Sequence, residues 1–395
     1  ANSVTVNAEG QTITTAEGGL AFSRCFYAEN SFTGTAVLHG GNYNWQCDDI
    51  SACYLCGGSW TFDDLTLKTI QCAIETDKAN VTVNGGTYDC HDSDSATFMI
   101  MNSPKSSFNY VTASGAGWVL STNNSWVDVV GGSYSRNKDV EVFIQRPTLR
   151  ASDNATLNVT NADVTGTYCD VFVTGATANL FGGTYTNTNE YINHEPINYE
   201  SPALKVWNGG TLSVKDAVVD CTGDNAAISS GEPAGSYYHY KYGDGGKLVV
   251  ENCTIQNSKY GIYLGRGSST SAELKSATFE NNDSDIYLES DKEITISDTF
   301  TTQTTIKVAD PKEGRQLTVA GNANKLHLVG QNESYRVAYD KAQRYYYLTQ
   351  RAPGYTLTAE DATATIKVGG VDTKVDPNDE IDKGTPVTLT ADPAP

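Results

Sequence analysis

A short motif, Gly-Gly-x-aromatic, recurs along the chain and constrains its fold more than any other feature. In the copy Val81-Thr82-Val83-Asn84-Gly85-Gly86-Thr87-Tyr88, two apolar residues at i and i+2 precede the glycines and one aromatic residue follows them. Residues at i and i+2 share one face of a strand, and two glycines allow a sharp bend. Each unit is too small to bury its own apolar face, so the repeats predict a stacked solenoid of strands. The other copies are Gly40-Gly41-Asn42-Tyr43, Gly57-Gly58-Ser59-Trp60, Gly131-Gly132-Ser133-Tyr134 and Gly182-Gly183-Thr184-Tyr185.

The same frame continues where the glycines are lost. The copies are spaced irregularly, from 17 residues (Gly40 to Gly57) to 46 (Gly85 to Gly131), and the longer gap is wide enough to hide an unmarked copy. The apolar frame without glycines is Leu157-x-Val159 to Val164, Leu212-x-Val214 to Val219, Leu248-x-Val250 to Ile255, and Ala272-x-Leu274 to Phe279. A second strand column aligns beside it, comprising Ala73-Ile74, Val142-Phe143-Ile144, Val171-Phe172-Val173, Leu204-x-Val206, Ala226-Ala227-Ile228, Ile262-Tyr263-Leu264 and Ile286-Tyr287-Leu288.

The two ends of such a stack need covering, because a terminal rung has unpaired edges. At the N-terminal end, Phe22, Phe26 and Tyr27 are the predicted cover. At the other end, Tyr335 to Leu348 reads as a β-hairpin with a polar turn. We therefore predict a coil with caps over residues 1–350, followed by a small β module over residues 351–395, of β-sandwich or β-grasp-like type.

Composition places the chain outside the cell. Lys and Arg total 27 against 47 Asp and Glu, a net charge of -20. This balance argues against a nucleic-acid partner, which demands a basic surface. The acidity and the many Thr, Ser, Asn and Gly residues favour an extracellular location. No apolar run is long enough to cross a bilayer, so we expect no membrane insertion in this stretch.

Nine cysteines leave three structural alternatives. Disulfides that close an N-terminal cap are the favoured one, because six of the nine lie within the first 90 residues. A zinc site at Cys47, Cys53, Cys56 and Cys72 is a weaker alternative, since the usual second Cys-x-x-Cys pair is missing. Buried, unreactive thiols are an equal alternative for Cys169, Cys221 and Cys253.

The segment from Asn252 to Leu264 (Asn-Cys-Thr-Ile-Gln-Asn-Ser-Lys-Tyr-Gly-Ile-Tyr-Leu) resembles the rung signature of right-handed parallel β-helix proteins, the pectin-lyase-like superfamily. In that signature an asparagine opens the bend, an aliphatic residue points inward and a Gly-Ile-x-Leu strand follows. The resemblance covers about residues 70–300. It implies an all-β fold of that class but not one chemistry, since the fold carries lyases, hydrolases and adhesins.

Residues 220–231 resemble a segment of the polygalacturonases, so a catalytic function can be tested against the residues of that family. Asp224 matches the first of two neighbouring aspartates, but Asn225 replaces the second, and an amide cannot exchange the proton that inverting hydrolysis requires. Tyr260 stands where the resemblance needs a histidine. Asp220 and Asp224 are therefore only an alternative catalytic pair, for a polygalacturonase-like hydrolase or a polysaccharide lyase.

A lyase would need acidic side chains for calcium. Asp283, Asp285, Glu289 and Asp291 are close in sequence, but their spacing predicts solvated turns. No cofactor is expected, and calcium is the one ion left open.

Two long segments interrupt the coil, residues 187–202 and 231–246, and loops carry function more often than rungs do. Tyrosine offers a flat ring and a hydroxyl at low entropic cost, which suits sugar stacking or a protein interface. The alternative is that these rings pack on the wall of the coil. The predicted ligand-binding residues are Tyr191, His194, Tyr199, Tyr237, Tyr238, His239, Tyr240 and Tyr242.

Gly384-Thr385-Pro386-Val387-Thr388-Leu389-Thr390-Ala391 is similar to the middle of Listeria–Bacteroides-type modules, the internalin B-repeats, but stops before their Gly-Tyr and Gly-Trp strands. Residues 286–348 resemble the tail of β-helix domains in secreted proteins of Gram-positive gut bacteria. These resemblances imply a cell-surface adhesin whose partner is a host glycoprotein, a mucin or a polysaccharide. A carbohydrate-active enzyme and a structural stalk are the alternatives.

Overall fold

The computed structural model describes residues 3–14, 24–47, 50–92, 94–136, 146–188, 201–231, 244–298, 300, 302–319 and 334–350, together with the backbone of 328–330, 355–356, 362–368, 371–374, 380–381 and 386–391. Every regular element in these ranges is a strand, so none of them holds a helix that could cross a membrane. In chain order the strands are β1 Ser3–Asn7, β2 Thr12–Thr14, β3 Phe26–Ala28, β4 Thr35–His39, β5 Asn42–Trp45, β6 Cys53–Leu55, β7 Ser59–Asp63, β8 Thr66–Thr69, β9 Ile74–Asp77, β10 Asn80–Asn84, β11 Thr87–Cys90, β12 Ala96–Met101, β13 Ser106–Asn109, β14 Thr112–Gly115, β15 Trp118–Asn123, β16 Trp126–Val130, β17 Ser133–Arg136, β18 Leu149–Ser152, β19 Thr156–Thr160, β20 Asp163–Gly166, β21 Val171–Thr174, β22 Thr177–Phe181, β23 Thr184–Asn187, β24 Leu204–Trp207, β25 Thr211–Lys215, β26 Val218–Ser230, β27 Lys247–Leu264, β28 Ser271–Glu280, β29 Ser284–Leu288, β30 Thr295–Ile296, β31 Thr304–Val308, β32 Leu328–Gly330, β33 Tyr335–Asp340, β34 Tyr345–Gln350, β35 Tyr355–Thr356, β36 Ala362–Val368, β37 Val371–Lys374, β38 Glu380–Ile381 and β39 Val387–Ala391.

The first 32 strands form a parallel β-helix, as predicted. Along most of the coil each strand pairs in parallel with the third strand after it in the chain, as β1 does with β4. Sheet 1 contains β1, β4, β7, β10, β13, β16, β19, β22 and β25, the first parts of β27 and β28, and β30. Sheet 2 contains β2, β5, β8, β11, β14, β17, β20 and β23, then parts of β26, β27 and β28. Sheet 3 contains β3, β6, β9, β12, β15, β18, β21 and β24, the last parts of β26 and β27, then β29, β31 and β32.

The core is the interior of the coil, and the predicted apolar frame lines it. On sheet 1 one inward column runs without interruption through eleven rungs, and all of its members are buried. Each residue contacts its counterparts one rung away, so no rung buries its apolar face alone. The column is Leu38, Phe62, Val83, Phe108, Val129, Val159, Leu180, Val214, Val250, Leu274 and Ile296.

The bend from sheet 1 to sheet 2 has one backbone conformation at nine rungs. Its first residue is left-handed in each, with φ between 52° and 65°. Glycine adopts this conformation without cost, and Asn and Asp tolerate it better than other residues do. The nine residues are Gly40, Asp64, Gly85, Tyr110, Gly131, Asn161, Gly182, Asp216 and Asn252.

This bend identifies the repeat copy that lies between Gly85 and Gly131, and it shows that another predicted copy is misplaced. Tyr110 takes the left-handed place in the long gap between Gly85 and Gly131, after β13 pairs with β10. Gly57-Gly58-Ser59-Trp60 was wrongly aligned, because Gly58 precedes sheet 1 and Trp60 pairs with Val81 inside that sheet. The true bend of that rung has no glycine and carries Asp64.

Most members of the predicted second strand column lie in sheet 3. At the rung between β15 and β21 the strand of sheet 3 is Leu149–Ser152, in which Leu149 pairs with Leu120 and Val171. The sequence had predicted residues 142–144 for this rung, and those residues lie outside the described part of the chain.

The predicted hairpin is confirmed. β33 and β34 pair antiparallel from Tyr335 with Gln350 to Asp340 with Tyr345. The backbone N–H of Leu317 donates to the Tyr346 carbonyl at 2.8 Å, and Tyr346 joins the buried core. The hairpin therefore pairs with the last turn of the coil.

At the N-terminal end the predicted cover is partly wrong. Phe26 packs against the core, but Tyr27 is 56% exposed on the outer face of sheet 3, where it stacks on Tyr54. Phe22 lies outside the described residues.

Beyond the hairpin, the strands predicted in residues 351–395 are present in two small antiparallel sheets, β35 with β38 and β37–β36–β39. The boundary at residue 350 stays a prediction.

Candidate functional site

The predicted ligand-binding residues lie outside the described part of the chain, but the attachment points of their segments are defined. Residues 189–200 connect β23 of sheet 2 to β24 of sheet 3. Residues 232–243 connect the end of β26 in sheet 3 to the start of β27 in sheet 1. The two segments therefore leave from opposite long edges of sheet 3, at neighbouring rungs. This placement directs attention to the outer face of sheet 3.

That outer face carries a column of outward side chains in register from rung to rung. Successive strands of a sheet lie about 4.8 Å apart, so the column forms a strip roughly 50 Å long. Aromatic and cationic residues dominate it. In order the column is Tyr27, Tyr54, Glu75, Met99, Ser121, Arg150, Phe172, Lys205, Ser229, Tyr263, Tyr287 and Lys307.

Three tyrosine rings pack together at one end of this strip. Tyr263 and Tyr287 stack with centroids 5.2 Å apart and an interplanar angle of 6°. Tyr260 lies 4.4 Å from Tyr287 and 5.8 Å from Tyr263. Tyr260 and Tyr287 are half-buried. We call these three residues the tyrosine platform.

A buried carboxylate anchors the platform. The Tyr263 hydroxyl donates to Glu289 Oε1 at 2.7 Å, and Arg266 Nε lies 4.0 Å from Glu289 Oε2. Below it, the Arg315 guanidinium donates to the Glu289 carbonyl at 2.7 Å. Burial lowers the pKa of Arg315, although nearby acidic groups oppose that shift. The solvated turn predicted at Glu289 is therefore wrong, because only 4% of this residue is exposed.

Two further groups of aromatic and cationic side chains follow toward the N-terminal end. Lys205 Nζ lies 4.2 Å from the centroid of the Trp207 ring, and Phe172 packs edge-on against that ring at 5.8 Å. Arg146 stacks at 3.7 Å over Trp118, which lies three rungs before Lys205. Cations over aromatic faces hold both groups in place.

The alternative catalytic residue Asp220 is held by amides. Its Oδ2 accepts from Gln256 Nε2 at 2.7 Å, and its Oδ1 accepts from Asn257 Nδ2 at 3.0 Å. Both donors come from the next rung, so Asp220 joins two rungs of sheet 2. Of Asp224 the structure describes only the backbone, within β26.

The acidic cluster does not form a metal site among the described residues. Asp285 accepts from the Thr305 backbone N–H at 2.8 Å and from its hydroxyl at 2.9 Å, which is a structural link between rungs. Within the described ranges no three His, Cys, Asp or Glu side chains converge as a metal would require. This includes the four cysteines considered for zinc.

The disulfide prediction is wrong, because all nine cysteines are unbridged. Eight of the nine are buried, and the thiols of Cys72, Cys90, Cys169 and Cys253 donate to main-chain carbonyls, as Cys72 Sγ does to the Thr97 carbonyl at 3.6 Å. Burial raises the pKa of Cys25, Cys90 and Cys221 to about 12. Such thiols stay protonated at neutral pH and are poor nucleophiles or metal ligands.

Sequence reasoning missed the tyrosine platform and the Lys205–Trp207 pair. Their members are separated by whole rungs in the chain, and only strand register brings them together. The one available signal was the alternation of outward residues in Leu204-x-Val206 and Ile286-x-Leu288.

Comparisons with known proteins add nothing to these assignments. No family model, no curated protein and no solved structure matches this chain.

Proposed function

We propose that this chain is an extracellular, glycan-binding domain of a bacterial surface adhesin, and that it binds through the outer face of sheet 3. The observation that carries the proposal is the tyrosine platform on a rigid strip of aromatic and cationic side chains. Flat rings stack on sugar faces, and neighbouring polar groups accept or donate to sugar hydroxyls. The long axis of the strip suits an extended glycan of a host glycoprotein or mucin.

Two features support this surface over others. The rungs hold the rings in place through continuous ladder hydrogen bonds, so little ordering is needed on binding. The two segments that hold the predicted ligand-binding residues start at the edges of the same sheet. The residues predicted from Tyr191 to Tyr242 stay predictions.

The adhesin proposal is tested by removing one ring. Tyr287→Ala should weaken binding of a mucin glycan at least tenfold in calorimetry, because truncating an aromatic hot-spot contact costs about 2 kcal/mol. Tyr110→Ala is the matched control, since Tyr110 is 72% exposed and lies on the bend between sheets 1 and 2. Equal affinities of both variants and the parent, with unchanged melting, would remove sheet 3 as the binding face.

The carbohydrate-active enzyme is the second candidate, and a product profile separates it from the adhesin. Mass spectrometry of pectins, plant glycans and mucin after incubation should show no new oligosaccharides. Unsaturated ends would indicate a lyase and new reducing ends a hydrolase.

A further inference from the structure

Two arginines lie close together near the middle of the outer face of sheet 3. Arg150 belongs to the outward column of that sheet, and Arg146 stacks on the neighbouring Trp118 ring. The Cζ atoms of Arg146 and Arg150 lie 3.7 Å and 5.7 Å from the centroid of this ring. Two guanidinium groups beside one ring place like charges next to each other. We call Arg146 and Arg150 the arginine pair.

The charge of Arg150 is incompletely balanced by its surroundings. Among the residues that the structure describes, no carboxylate forms an ion pair with Arg150, whereas Arg146 Nη2 lies 3.3 Å from Asp94 Oδ1. Burial lowers the pKa of Arg150, the nearby Asp153 opposes that shift, and Arg146 adds to it. The Asp153 carboxylate accepts a hydrogen bond from Asn123. An anion bound beside Arg150 would therefore stabilise its charged form.

Aromatic rings lie beside this cation. Trp118 is half-buried, and Phe172 follows Arg150 by one rung, about 4.8 Å along the coil. Phe172 is also half-buried, and it packs edge-on against Trp207 at 5.8 Å. A ligand that reaches the Arg150 guanidinium therefore meets flat apolar surface next to it.

The combination of cations and rings selects a carboxylated sugar. A guanidinium offers two parallel N–H groups, which match the two oxygens of a planar carboxylate. Sialic acid carries, besides its carboxylate, an acetamido methyl group and a carbon side chain that suit contacts with two rings. A bare inorganic anion would use the charge and leave the rings without a contact. We propose that the arginine pair, with Trp118 and Phe172, binds a sialic acid that ends the glycan.

The charges near the arginine pair permit an anion despite the net charge of -20. At physiological salt the Debye length is about 8 Å, so nearby groups outweigh distant ones. Glu75, the carboxylate of the outward column, lies three rungs before Arg150, which is about 14 Å. Its charge is therefore largely screened at the arginine pair.

The inference rests on the proposed function, and it gives the bound glycan a direction. Arg150 precedes Tyr287 by five rungs in the outward column, a distance of about 24 Å. A chain of several sugars can therefore contact the arginine pair at its acidic end and the tyrosine platform along its body.

Free sialic acid tests the arginine pair without the rest of the glycan. The indole N–H resonance of Trp118, assigned with Trp118→Phe, should shift saturably as N-acetylneuraminic acid is added. It should not shift with the methyl ester, which keeps the shape of the sugar and has no charge. Arg150→Lys should weaken the response about tenfold, because a lysine keeps the charge but loses the paired N–H donors. Arg150→Met should abolish the response, because the methionine keeps an unbranched stem and removes the charge.

A matched control comes from the same coil. Lys68→Met removes an exposed cation from the outer face of sheet 2, and this variant should respond to N-acetylneuraminic acid as the parent does. An unchanged melting temperature of Arg150→Met separates loss of the site from loss of the fold. A response that survives Arg150→Met, or an equal response to the methyl ester or to sodium sulfate, would overturn the inference.

Glycan binding separates this inference from the function on which it rests. Parent protein should bind sialylated mucin glycans at least tenfold more tightly than the same glycans after sialidase treatment, and Arg150→Met should remove that preference. Equal binding of both glycan pools, still dependent on Tyr287, would leave the adhesin proposal intact and refute the sialic acid site. Failure to bind either pool would refute the adhesin proposal itself.

Discussion

Glycine alternates with a larger residue at the bend between sheets 1 and 2, and the reason is steric. A Cβ on Gly85 would lie 2.2 Å from Asp64 Oδ1, and one on Gly182 would lie 2.0 Å from Asn161 Oδ1. From Asp64 to Gly182, the side chain of each larger residue folds over the glycine of the next rung, whereas Asp216 is followed by Asn252. The repeating unit of the coil in this region is therefore two rungs rather than one.

Gly182→Ala tests this alternation. The new methyl would force the Asn161 side chain to rotate away, and an alanine at φ +65° is strained, so we expect a loss of about 2 kcal/mol in the free energy of unfolding. Urea denaturation measures the loss. In an Asn161→Ala background the same substitution should cost about 1 kcal/mol, because only the backbone strain remains. Equal costs in the two backgrounds would show that the contact with Asn161 does not matter.

Asp170 gives the protein a pH dependence of its own. Burial raises its pKa well above the ordinary 3.8, although the backbone N–H of Gly166 opposes the shift. The folded state therefore holds a proton that the unfolded chain releases. Stability from this group is complete below about pH 4 and declines as the pH rises toward the folded pKa.

Asp170→Asn removes this pH dependence. The variant should melt at the parent temperature near pH 4 and at a higher temperature near pH 8, as calorimetry can show. A difference that is constant across this range would contradict the raised pKa. Asp163→Asn is the control, since Asp163 is exposed on the outer face of sheet 2.

Some residue-scale features could not be read from the sequence. A tyrosine in the left-handed conformation at Tyr110 is unexpected, because bulky residues rarely adopt it. The position of the Tyr110 ring over Gly131 can be recognised only once the register between their two rungs is known.

At the scale of elements, period-2 alternation predicted most strands of sheets 1 and 3, because parallel strands buried on one face keep a strict inward set. It missed the strand Leu149–Ser152, because this strand has only two apolar residues, Leu149 and Ala151. It also failed at the Gly57-Gly58 corner, since a glycine pair marks a bend without saying which bend.

The hairpin β33–β34 should stabilise the last rungs of the coil. Leu348 is 3% exposed, and its N–H donates to the Arg315 carbonyl at 2.8 Å. Leu348→Ala should cost about 3 kcal/mol, the usual range for a buried leucine, and should speed hydrogen exchange at the Leu317 amide. Lys341→Ala, in the exposed turn, should leave both unchanged. Unaltered exchange at Leu317 in Leu348→Ala would show that the hairpin does not protect the coil.

At the scale of the whole molecule, the repeats were sufficient to predict a parallel β-helix but not which face is used. The tyrosines of the two long segments were predicted to bind the ligand because they lie close together in sequence. The tyrosine platform is assembled from Tyr260, Tyr263 and Tyr287, which come from two successive rungs. Register between rungs of unequal length depends on where each segment leaves the coil, and composition does not encode that.

The nine cysteines are unbridged, and a reductant tests this for the whole molecule. Dithiothreitol should leave the melting temperature unchanged, because no covalent link is broken. Nine thiols should react with a thiol reagent in urea, and few without it. A melting temperature that falls by several degrees on reduction would reveal a bridge.

Hydroxyl-radical footprinting of aromatic side chains tests the central claim most directly, because one sample contains both the site and its controls. With a bound mucin glycan, we predict protection of Trp207, Tyr260 and Tyr287 on the outer face of sheet 3. The exposed rings of Tyr110, Trp126 and Phe181, which lie on sheet 1 or its bend, should react as in the free protein. Protection of these control rings, with none on sheet 3, would contradict the account.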